Sequence, residues 1–555
     1  MTSSNHRIAA QLAEIATLLT VRKADRFRIR AYERAARTIA TLPVDIASLG
    51  VDERARLHGI GSGLARLIEE SLATGDMALL QELRAAEPIG FGQLVALRGI
   101  GQRLARTLAT ERGITNAEGL RAAIAAGELA SLPGWTATKE RVVLTALDAP
   151  ALDDGRLLLA HALALADLWT AELAAVEGVV QVAVVGSLRR GRETLGGVDL
   201  AVATVNAPAV LDAVVALPLV VTAVARAADH VTVVAARGGL VRVHAADPQR
   251  WGTALVRLTG SVRHVRRLEA IGSLPEVAAE DDVYTALGLQ PVPPVLREDD
   301  GEVECAAEGL LARPVTLGDL RGDLHGHSDW SKDGTQPLDV MAAAAGDAGL
   351  AYWAATDHTK DLFDNMDREQ VLMRRATLDH LRQSSAVRIL DGAELNIGVD
   401  GALDFDTEFL LGFEVCVASI HSRFDLPQAD QTRRILIAMK DPAVTVIGHP
   451  TGRLVHVRRG YDIDIHAIAQ GAAETGTALE VNGSARRLDL RDAMVRAAVK
   501  AGATLAISSD AHATGELANL RYGALTAARG WATPADVLNC RDVEGVLRFA
   551  AAKRR

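Results

Sequence analysis

The stretch from Asp323 to Gly334 constrains this chain more than any other part of its sequence. His325 and His327 stand two residues apart, directly after an apolar residue, and an Asp-Gly pair closes the stretch. Residues i and i+2 of a strand face the same side, so both imidazoles can point at one ion. Imidazole suits Zn²⁺, Mn²⁺ and iron. Two unrelated surface histidines beside a turn would give the same pattern. The choice between these interpretations therefore depends on the rest of the sequence.

Further candidate ligands follow at the ends of strand-like segments between residues 315 and 555. Helical and strand-like segments alternate there, which predicts an α/β barrel of parallel strands. Active sites of such barrels lie at the carboxyl ends of the strands. The candidates that share this placement are His325, His327, Asp333, His358, Glu394, His421, His449, Asp510 and His512. A lone histidine at a strand end usually caps or packs, but six of the chain's 15 histidines are in this set. The pattern therefore predicts a metal centre.

Short glycine-containing turns lead into helices near the start of the chain. The first contains Gly59 and Gly61, the second contains Gly99 and Gly101, and a weaker third surrounds Gly134. Such turns present backbone N–H groups where the helix dipole favours an anion, and a DNA phosphate fits there without its sequence being read. The turns resemble helix-hairpin-helix motifs. A glycine cap between two packed helices is the alternative, but two full copies favour DNA binding despite the net charge of −10.

Residues 1–300 as a whole resemble a family X DNA polymerase with lyase-like, fingers, palm and thumb regions. The family's palm carries an Asp-x-Asp pair and a third Asp; here Gly197 replaces the first, Asp199 remains, and Arg242 falls near the third. A guanidinium at a metal position opposes metal binding. Leu67 stands where the family has its lyase lysine, and leucine cannot form a Schiff base. The resemblance assigns nucleotide binding, active or vestigial, to Gly186, Ser187, Arg190 and Asp199.

Residues 315–555 resemble the PHP (polymerase and histidinol phosphatase) domain, and all of the family's ligand positions are filled. The resemblance implies three metal positions, with Mn²⁺ or Zn²⁺ expected and Mg²⁺ as an alternative. The first uses His325, His327, Glu394 and Asp510, the second uses Glu394, His421 and His449, and the third uses Asp333, His358 and His512. Asp357 is expected to orient a ligand. Arg423 and Arg453 are expected to hold substrate phosphates, with a surface ion pair as the equal alternative for each.

The whole chain is similar to the bacterial and archaeal family X polymerases that carry a PHP domain. This predicts a multidomain fold: a helical helix-hairpin-helix region, an α/β nucleotidyltransferase-like palm and a C-terminal α/β PHP barrel. The expected domains are 1–85 (lyase-like), 86–150 (fingers-like), 151–295 (degenerate palm and thumb) and 315–555 (PHP). Proline and charge between residues 280 and 300 predict an extended connection before the last domain.

The expected function is a metal-dependent phosphoesterase, a 3′–5′ exonuclease in DNA repair, whose other half binds gapped or nicked DNA or 3′ ends but has lost nucleotidyl transfer. One alternative is a working polymerase that recruits Glu193 or Asp247; others are a small-molecule phosphatase and a DNA-binding protein without catalysis. Three widely spaced cysteines argue against disulfides and thiolate metal sites. With no signal-peptide core and no long apolar run, a cytoplasmic protein without a membrane partner is expected. The sequence does not fix the oligomeric state.

Overall fold

The computed structural model describes residues 3–554 except 23, 41, 43, 86–90, 96–99, 130, 131, 133, 134, 137, 138, 141, 142, 145–155, 237 and 361–365. The chain forms two compact units. The first consists of Met1–Leu157, Leu165–Ala183 and Gly196–Ala246. The second consists of Leu158–Ala164, Val184–Leu195 and Asp247–Arg555. The domain bounds drawn from the sequence stay a prediction.

Short helices make up the described part of the chain before residue 157. They are Ser3–Val21, Arg26–Ala40, Val51–Ala55, Ser62–Thr74, Ala78–Ala85, Phe91–Val95, Gln102–Glu111 and Ala117–Ala125. Ile8, Leu12 and Ile15 recur at helical spacing and are fully buried, so the first helix contributes one continuous face to the core. Gly59 has a φ of +73° and a Cβ there would lie 3.1 Å from Arg34 Cβ, so this turn requires glycine.

A mixed five-stranded sheet follows. The strands of this part are β1 Leu157–Leu158, β2 Gln181–Val185, β3 Thr194–Leu195, β4 Val198–Ala203, β5 Val220–Arg226, β6 His230–Ala235 and β7 Leu240–Ala246, with helices Leu159–Ala174, Gly186–Arg189 and Ala207–Val215. The order is β2-β4-β7-β6-β5, and β1 pairs with β3 separately. β4 and β7 are parallel and place Asp199 opposite Arg242.

The segment from 247 to 311 is compact, and the prediction of an extended connection is wrong. It forms helices Trp251–Thr259, Val262–Ile271, Glu280–Ala286 and Glu302–Ala307 around a small apolar core. Arg297 shows how a charge is satisfied inside this segment: it is 2% exposed and donates to Glu280 Oε1 at 2.5 Å and to Val292 O at 2.8 Å. A run of charged residues predicts solvent exposure, because the local sequence pattern does not show the distant partners that can satisfy a buried charge.

His264 and Glu302 form a fully buried pair in this segment. Glu302 Oε1 lies 2.6 Å from His264 Nδ1, and His264 Nε2 lies 3.0 Å from Tyr284 Oη. Both Glu302 oxygens also accept backbone N–H bonds, from Asp299 and Asp300. Burial raises the pKa of Glu302, but these bonds outweigh it and hold the pKa below its ordinary value. The carboxylate therefore stabilises the folded state while it remains ionised.

Glu302→Ala is expected to lower the free energy of unfolding by about 3–5 kcal/mol, because it leaves a buried partner unpaired. Glu304→Ala, two residues away in an exposed pair with Arg267, is the matched control and should cost less than about 1 kcal/mol. Urea unfolding measures both. Since the folded pKa of Glu302 is depressed, its contribution is present above about pH 5 and disappears as the pH falls below about 4. A loss for Glu302→Ala no larger than for Glu304→Ala would contradict the structural role.

The C-terminal part forms a nearly closed parallel barrel of seven strands. They are β8 Gly322–Gly326, β9 Tyr352–Ala355, β10 Arg388–Asn396, β11 Val415–Ser419, β12 Val444–Ile447, β13 Ala478–Asn482 and β14 Leu505–Ser508, arranged in chain order. Gly326 pairs with Ala511 and brings the last strand beside the first. The helices between the strands are Leu338–Asp347, Arg368–Leu381, Thr407–Leu410, Gln428–Ala438, Ile465–Thr475 and Asp492–Lys500, and Leu520–Arg529 and Val543–Lys553 follow β14.

The barrel's packing positions the carboxyl ends of the strands. Leu324, Ala354, Leu390, Val417 and Ala506 belong to one buried cluster that contains residues from all seven strands, and a larger cluster packs the outer helices against the sheet. The helical, mixed-sheet and parallel-barrel parts confirm the fold class expected from the sequence. Among the described residues, no helix is long and apolar enough to span a bilayer.

Candidate metal centre

Glu394 lies at the middle of the candidate site. It is on β10, 1% exposed, and its two carboxylate oxygens face five histidines. Oε2 lies 3.2 Å from His325 Nε2, 3.5 Å from His327 Nε2 and 3.0 Å from His358 Nδ1; Oε1 lies 3.2 Å from His421 Nε2 and 2.9 Å from His449 Nε2. Each of these histidines comes from a different strand end except the first two, which share the end of β8.

Two further carboxylates complete the cluster. Asp510 Oδ1 lies 3.3 Å from His327 Nε2 and 3.7 Å from His325 Nε2. Asp333 Oδ2 lies 3.5 Å from His358 Nε2 and 3.4 Å from His512 Nε2. The structure thus brings together all of the ligand candidates named from the sequence. Three groups have ligand atoms within 4.8 Å of one another: His327, His358 and His512; His325, His327 and Asp510; and His358, Glu394 and His421.

Surrounding acceptors fix how the histidines present their nitrogens. His325 Nδ1 lies 2.7 Å from Glu480 Oε1, His421 Nδ1 lies 2.6 Å from Asn396 Oδ1, and His512 Nδ1 lies 2.9 Å from Asp510 O. These partners accept hydrogen bonds, so each Nδ1 is assigned as the donor. In the neutral ring the Nε2 lone pair then faces the centre, as in metal sites whose ligands are oriented by a second layer of groups.

These atoms fit a divalent cation. The buried atoms His325 Nε2, His327 Nε2, His358 Nδ1 and Glu394 Oε2 have no hydrogen-bond partner within the described parts of the chain. Buried polar atoms are normally satisfied, so an unsatisfied group of acceptors converging on one point calls for a positive charge between them. Nitrogen and oxygen ligands without sulfur suit hard or borderline ions such as Mn²⁺ and Zn²⁺.

The electrostatics of the cluster also favour a cation. Burial opposes ionisation of Glu394, but His325, His358 and His421 outweigh it and hold its pKa well below the ordinary value. Burial opposes protonation of His358, but Glu394 and Asp333 raise its pKa to about 10. His327 lies beside two other histidines, and burial together with the positive charge of His512 and His358 lowers its pKa to about 3. The carboxylates thus attract positive charge, and His327 stays neutral as a ligand must.

The other predicted catalytic residues occupy more distant positions. Asp357 is fully buried and accepts bonds from Ser328 N at 2.6 Å, Ser331 Oγ at 3.2 Å and Arg374 at 2.9 Å; Ser331 Oγ lies 3.2 Å from His327 Nδ1. Asp357 therefore contacts the candidate ligand His327 indirectly, through the hydroxyl of Ser331. Arg423 is exposed and pairs with Asp425, and Arg453 pairs with Glu193 at 2.5 Å. Both arginines take part in ion pairs, and contact with substrate stays a prediction.

Sequence reasoning missed two neighbours of the cluster. Glu480, in the middle of β13, supports two of the histidines: His325 through Nδ1 and His449 through a 2.5 Å bond from its backbone N–H. Arg487 lies 3.1 Å from Asp510 Oδ2 through Nε. Burial opposes its charge, but Asp510, Glu394, Asp489 and Glu480 raise the pKa of Arg487. A carboxylate within a strand-like run was a usable signal for Glu480, whereas no spacing pointed to Arg487.

Glu480→Gln is expected to weaken metal binding about 10–100-fold, because the amide cannot hold both His325 Nδ1–H and the His449 N–H as a carboxylate does. Titration of the metal-stripped protein with Mn²⁺, followed by calorimetry, measures the change. Glu474→Gln is the matched control, since Glu474 is exposed on the outer helix and bonds only to Gln470 among the described residues. Equal affinities for the two variants would contradict the supporting role of Glu480.

The residues assigned to nucleotide binding are engaged within the protein. Gly186 and Ser187 start a four-residue helix after β2. Arg190 is 9% exposed and donates to Glu298 Oε1 at 2.9 Å and Thr259 O at 2.7 Å. In the first unit, Asp199 Oδ1 accepts a 3.1 Å bond from Arg242. The side chains that a nucleotide would need are therefore held by internal ion pairs.

The glycines assigned to DNA binding begin helices where the structure describes them. Gly61 precedes helix Ser62–Thr74 and Gly101 precedes helix Gln102–Glu111, both in extended conformation without a side-chain cap. No described atom lies within 4 Å of a Cβ built on either glycine. Gly59 forms the preceding positive-φ turn. Gly99 and the centre of the weaker third turn lie outside the described residues.

Comparison with known proteins decides the family. A family model described as a helix-hairpin-helix domain matches residues 3–77. The DNA polymerase/3′-5′ exonuclease PolX of Bacillus subtilis (strain 168) is 31% identical over 562 aligned residues, which cover 97% of this chain and 98% of that protein. The chain belongs to the PolX family. The resemblance to family X polymerases with a C-terminal PHP domain is thereby confirmed.

Other relatives of this PolX family member match only its C-terminal part. A protein named probable phosphatase from Shewanella sp. (strain MR-4) is 29% identical over 240 residues, covering 42% of this chain and 91% of that protein. A probable phosphatase of Citrobacter koseri is 33% identical over 211 residues, covering 36% of this chain and 82% of that protein. The C-terminal part of this chain is thus similar to these proteins over most of their own length.

Proposed function

We propose that this PolX family member is a metal-dependent phosphoesterase that removes nucleotides from DNA 3′ ends through the Glu394 cluster, in DNA repair. One observation carries the proposal: buried, unsatisfied nitrogen and oxygen atoms of His325, His327, His358 and Glu394 converge without a hydrogen-bond partner among the described residues. Buried polar atoms without a partner do not stabilise the fold by themselves. Nitrogen and oxygen atoms that converge in this way suit a divalent cation. The relative's name, DNA polymerase/3′-5′ exonuclease, supports DNA as the substrate.

Nine residues would hold up to three divalent ions, Mn²⁺ or Zn²⁺ with Mg²⁺ as an alternative. Bound divalent ions supply Lewis-acid polarisation of a phosphate and a water of lowered pKa. Glu394 contributes both oxygens and so would bridge two positions, one with His325, His327 and Asp510 and one with His421 and His449. Asp333, His358 and His512 would form the third. Glu480 and Asn396 keep the Nδ1 protons of His325 and His421 away from the centre.

Arg487 is proposed to hold the substrate phosphate. Its Nε donates to Asp510, which fixes the guanidinium beside the cluster, and the side chain is 19% exposed. A guanidinium presents further N–H groups in the same plane, which match phosphate oxygens. Arg453 and Arg423 remain proposed phosphate contacts at the rim, and Asp357 a positioning group that acts on His327 through Ser331.

Nucleotidyl transfer is proposed to be lost. Two-metal phosphoryl transfer needs carboxylates that hold both ions. Asp199 is paired with Arg242, and no carboxylate can stand at position 197 without movement, because a Cβ there would lie 2.8 Å from Leu240 O. The alternative carboxylates are engaged elsewhere: Glu193 pairs with Arg453 and Asp247 caps Gln249 N. Residues 1–295, with the domain bounds expected from the sequence, would then serve to bind gapped or nicked DNA, and the helix-hairpin-helix match to residues 3–77 supports this role.

Hydrolysis of end-labelled DNA tests the proposal. With Mn²⁺ present, a 3′-labelled strand should lose its label as mononucleotide at once, while the same strand labelled at the 5′ end should shorten progressively. The C-terminal relatives named probable phosphatase favour a second candidate, a small-molecule phosphatase. That candidate predicts turnover of small phosphomonoesters and intact DNA in both labelling schemes, which would contradict the exonuclease.

A further inference from the structure

Asp404 lies behind the histidines of the metal centre, on the loop that follows β10. The residue is 5% exposed. Asn396 donates to Asp404 Oδ2 twice, from its side-chain Nδ2 at 3.0 Å and from its backbone N at 2.9 Å. The hydroxyl of Thr359 contacts the same oxygen. The carboxylate of Asp404 therefore receives donors from the end of β10 and from the segment after β9.

The residues that Asp404 contacts adjoin the candidate metal ligands. Thr359 N donates to the backbone carbonyl of Glu394 at 3.3 Å. Asn396 follows Glu394 by two residues on β10, and its Oδ1 lies 2.6 Å from His421 Nδ1. His421 Nε2 in turn lies 3.2 Å from Glu394 Oε1. Asp404 is thus linked to the second proposed metal position through a single side chain, that of Asn396.

The loop that carries Asp404 is closed by its own hydrogen bonds and by packing. Gly398 N donates to Ala402 O at 2.8 Å. Gly401 has a φ of +87°, and a Cβ there would lie 2.6 Å from Ile437 Cβ, so this turn requires glycine. Close packing of this kind leaves the carboxylate little freedom to turn away from the groups that donate to it.

The carboxylate decides which way the amide of Asn396 points. An ionised carboxylate only accepts hydrogen bonds, so the NH₂ group of Asn396 faces Asp404 and Oδ1 faces His421. The reverse orientation would place the amide oxygen against the two oxygens of Asp404, which now accept at 3.0 and 3.3 Å. It would also direct the NH₂ group at His421 Nδ1. The ring proton would then have to lie on Nε2, where a metal ion needs the lone pair.

We propose that Asp404 keeps the ring proton of His421 on Nδ1 through the amide of Asn396, as a positioning residue for the second metal position. His325 needs no such support, because its Nδ1 faces the carboxylate of Glu480 directly. An amide by itself offers an acceptor and a donor of similar shape, so it could meet His421 with either end. The carboxylate behind it removes that choice. This inference rests on the proposed function, in which bound ions cleave DNA.

Titration of the metal-stripped full-length protein with Mn²⁺, followed by calorimetry, tests the role of Asp404. Asp404→Asn introduces a donor beside the remaining acceptor, so the amide of Asn396 can turn over. This variant should bind one of its ions about tenfold more weakly, as expected when a group that orients a ligand is lost. Asn396→Asp/Asp404→Asn exchanges the two side chains, so that a carboxylate accepts directly from His421. The exchange should return the affinity to within about twofold of wild type.

Asp400→Asn is the matched control. Asp400 is exposed on the same loop and accepts a 3.1 Å bond from Ala402 N. Its substitution removes the same negative charge as Asp404→Asn but touches no group beside a histidine. The Mn²⁺ affinity of this control should stay within about twofold of wild type, as for most exposed positions.

The outcomes separate this inference from the function on which it rests. Equal affinities for Asp404→Asn and Asp400→Asn would overturn the inference while leaving the exonuclease intact. An exchange variant that binds as weakly as Asp404→Asn would also overturn it, because the loss would then come from the loop and not from the amide. The expected affinities in a wild type that leaves 3′-labelled DNA intact would overturn the exonuclease and support the role of Asp404. A wild-type protein that binds no Mn²⁺ would overturn both.

Discussion

Glu394→Gln is expected to abolish DNA hydrolysis and to remove most of the bound metal. One carboxylate faces five histidines, and glutamine would remove its charge and replace one of its two oxygens with an N–H donor, which cannot bind a cation. Groups that only orient a ligand usually change activity about 10–100-fold, so the loss for a bridging ligand should exceed 100-fold. Metal content by mass spectrometry and initial rates on 3′-labelled DNA measure both effects.

Glu408→Gln provides the matched control for this variant. Glu408 is exposed and lies in the helix Thr407–Leu410 that follows β10. Its substitution by glutamine removes the same negative charge as Glu394→Gln. Its rate and metal content should stay within about twofold of wild type, as for most exposed positions. Metal retained in full by Glu394→Gln, with an unchanged rate, would show that the histidine cluster is not a metal centre.

Template-directed primer extension is expected to fail with the wild-type protein under Mg²⁺ or Mn²⁺. Enzymes typically turn over at about 1–10³ per second, and incorporation here should fall at least about 10³-fold below the lower figure. The reason is the pairing of Asp199 with Arg242 where a metal would need further carboxylates. His325→Ala/His327→Ala should be used alongside, so that degradation of the extended primer does not conceal synthesis.

Restoring the carboxylates separately should not restore synthesis. Arg242→Asp releases Asp199 but leaves Gly197, and Gly197→Asp places a Cβ 2.8 Å from Leu240 O. The neighbouring strand would have to shift before both carboxylates could face one ion. Robust incorporation by the wild-type protein, dependent on the template base, would contradict the loss of nucleotidyl transfer.

Local pattern was sufficient to predict the barrel and the clustering of its candidate ligands. Apolar runs that end in histidine or a carboxylate recur at each strand end, and parallel strands necessarily bring those ends together. The clustering of His325, Glu394 and Asp510 therefore follows from spacing alone once the strands are identified. The resemblance to the PHP domain added which of them would share an ion.

Partners far apart in the sequence could not be predicted in this way. Arg453 pairs with Glu193, Arg190 pairs with Glu298, and Arg297 is buried against Glu280. Each residue carries a charge, and charge in a local pattern indicates solvent or a ligand. Only the tertiary fold shows that a distant carboxylate satisfies it. Arg487 could not be predicted for the same reason, because its partner Asp510 follows a different strand, β14.

Digestion of 3′-labelled and 5′-labelled DNA by wild type and by His325→Ala/His327→Ala, with Mn²⁺ added, tests the assignment most directly. The double variant should fold like wild type by circular dichroism, since the substituted side chains lie at the strand ends rather than in the apolar clusters. Wild type should release the 3′ label as mononucleotide, and the double variant should leave both strands intact. Equal degradation by the two proteins would place any nuclease activity outside this histidine cluster.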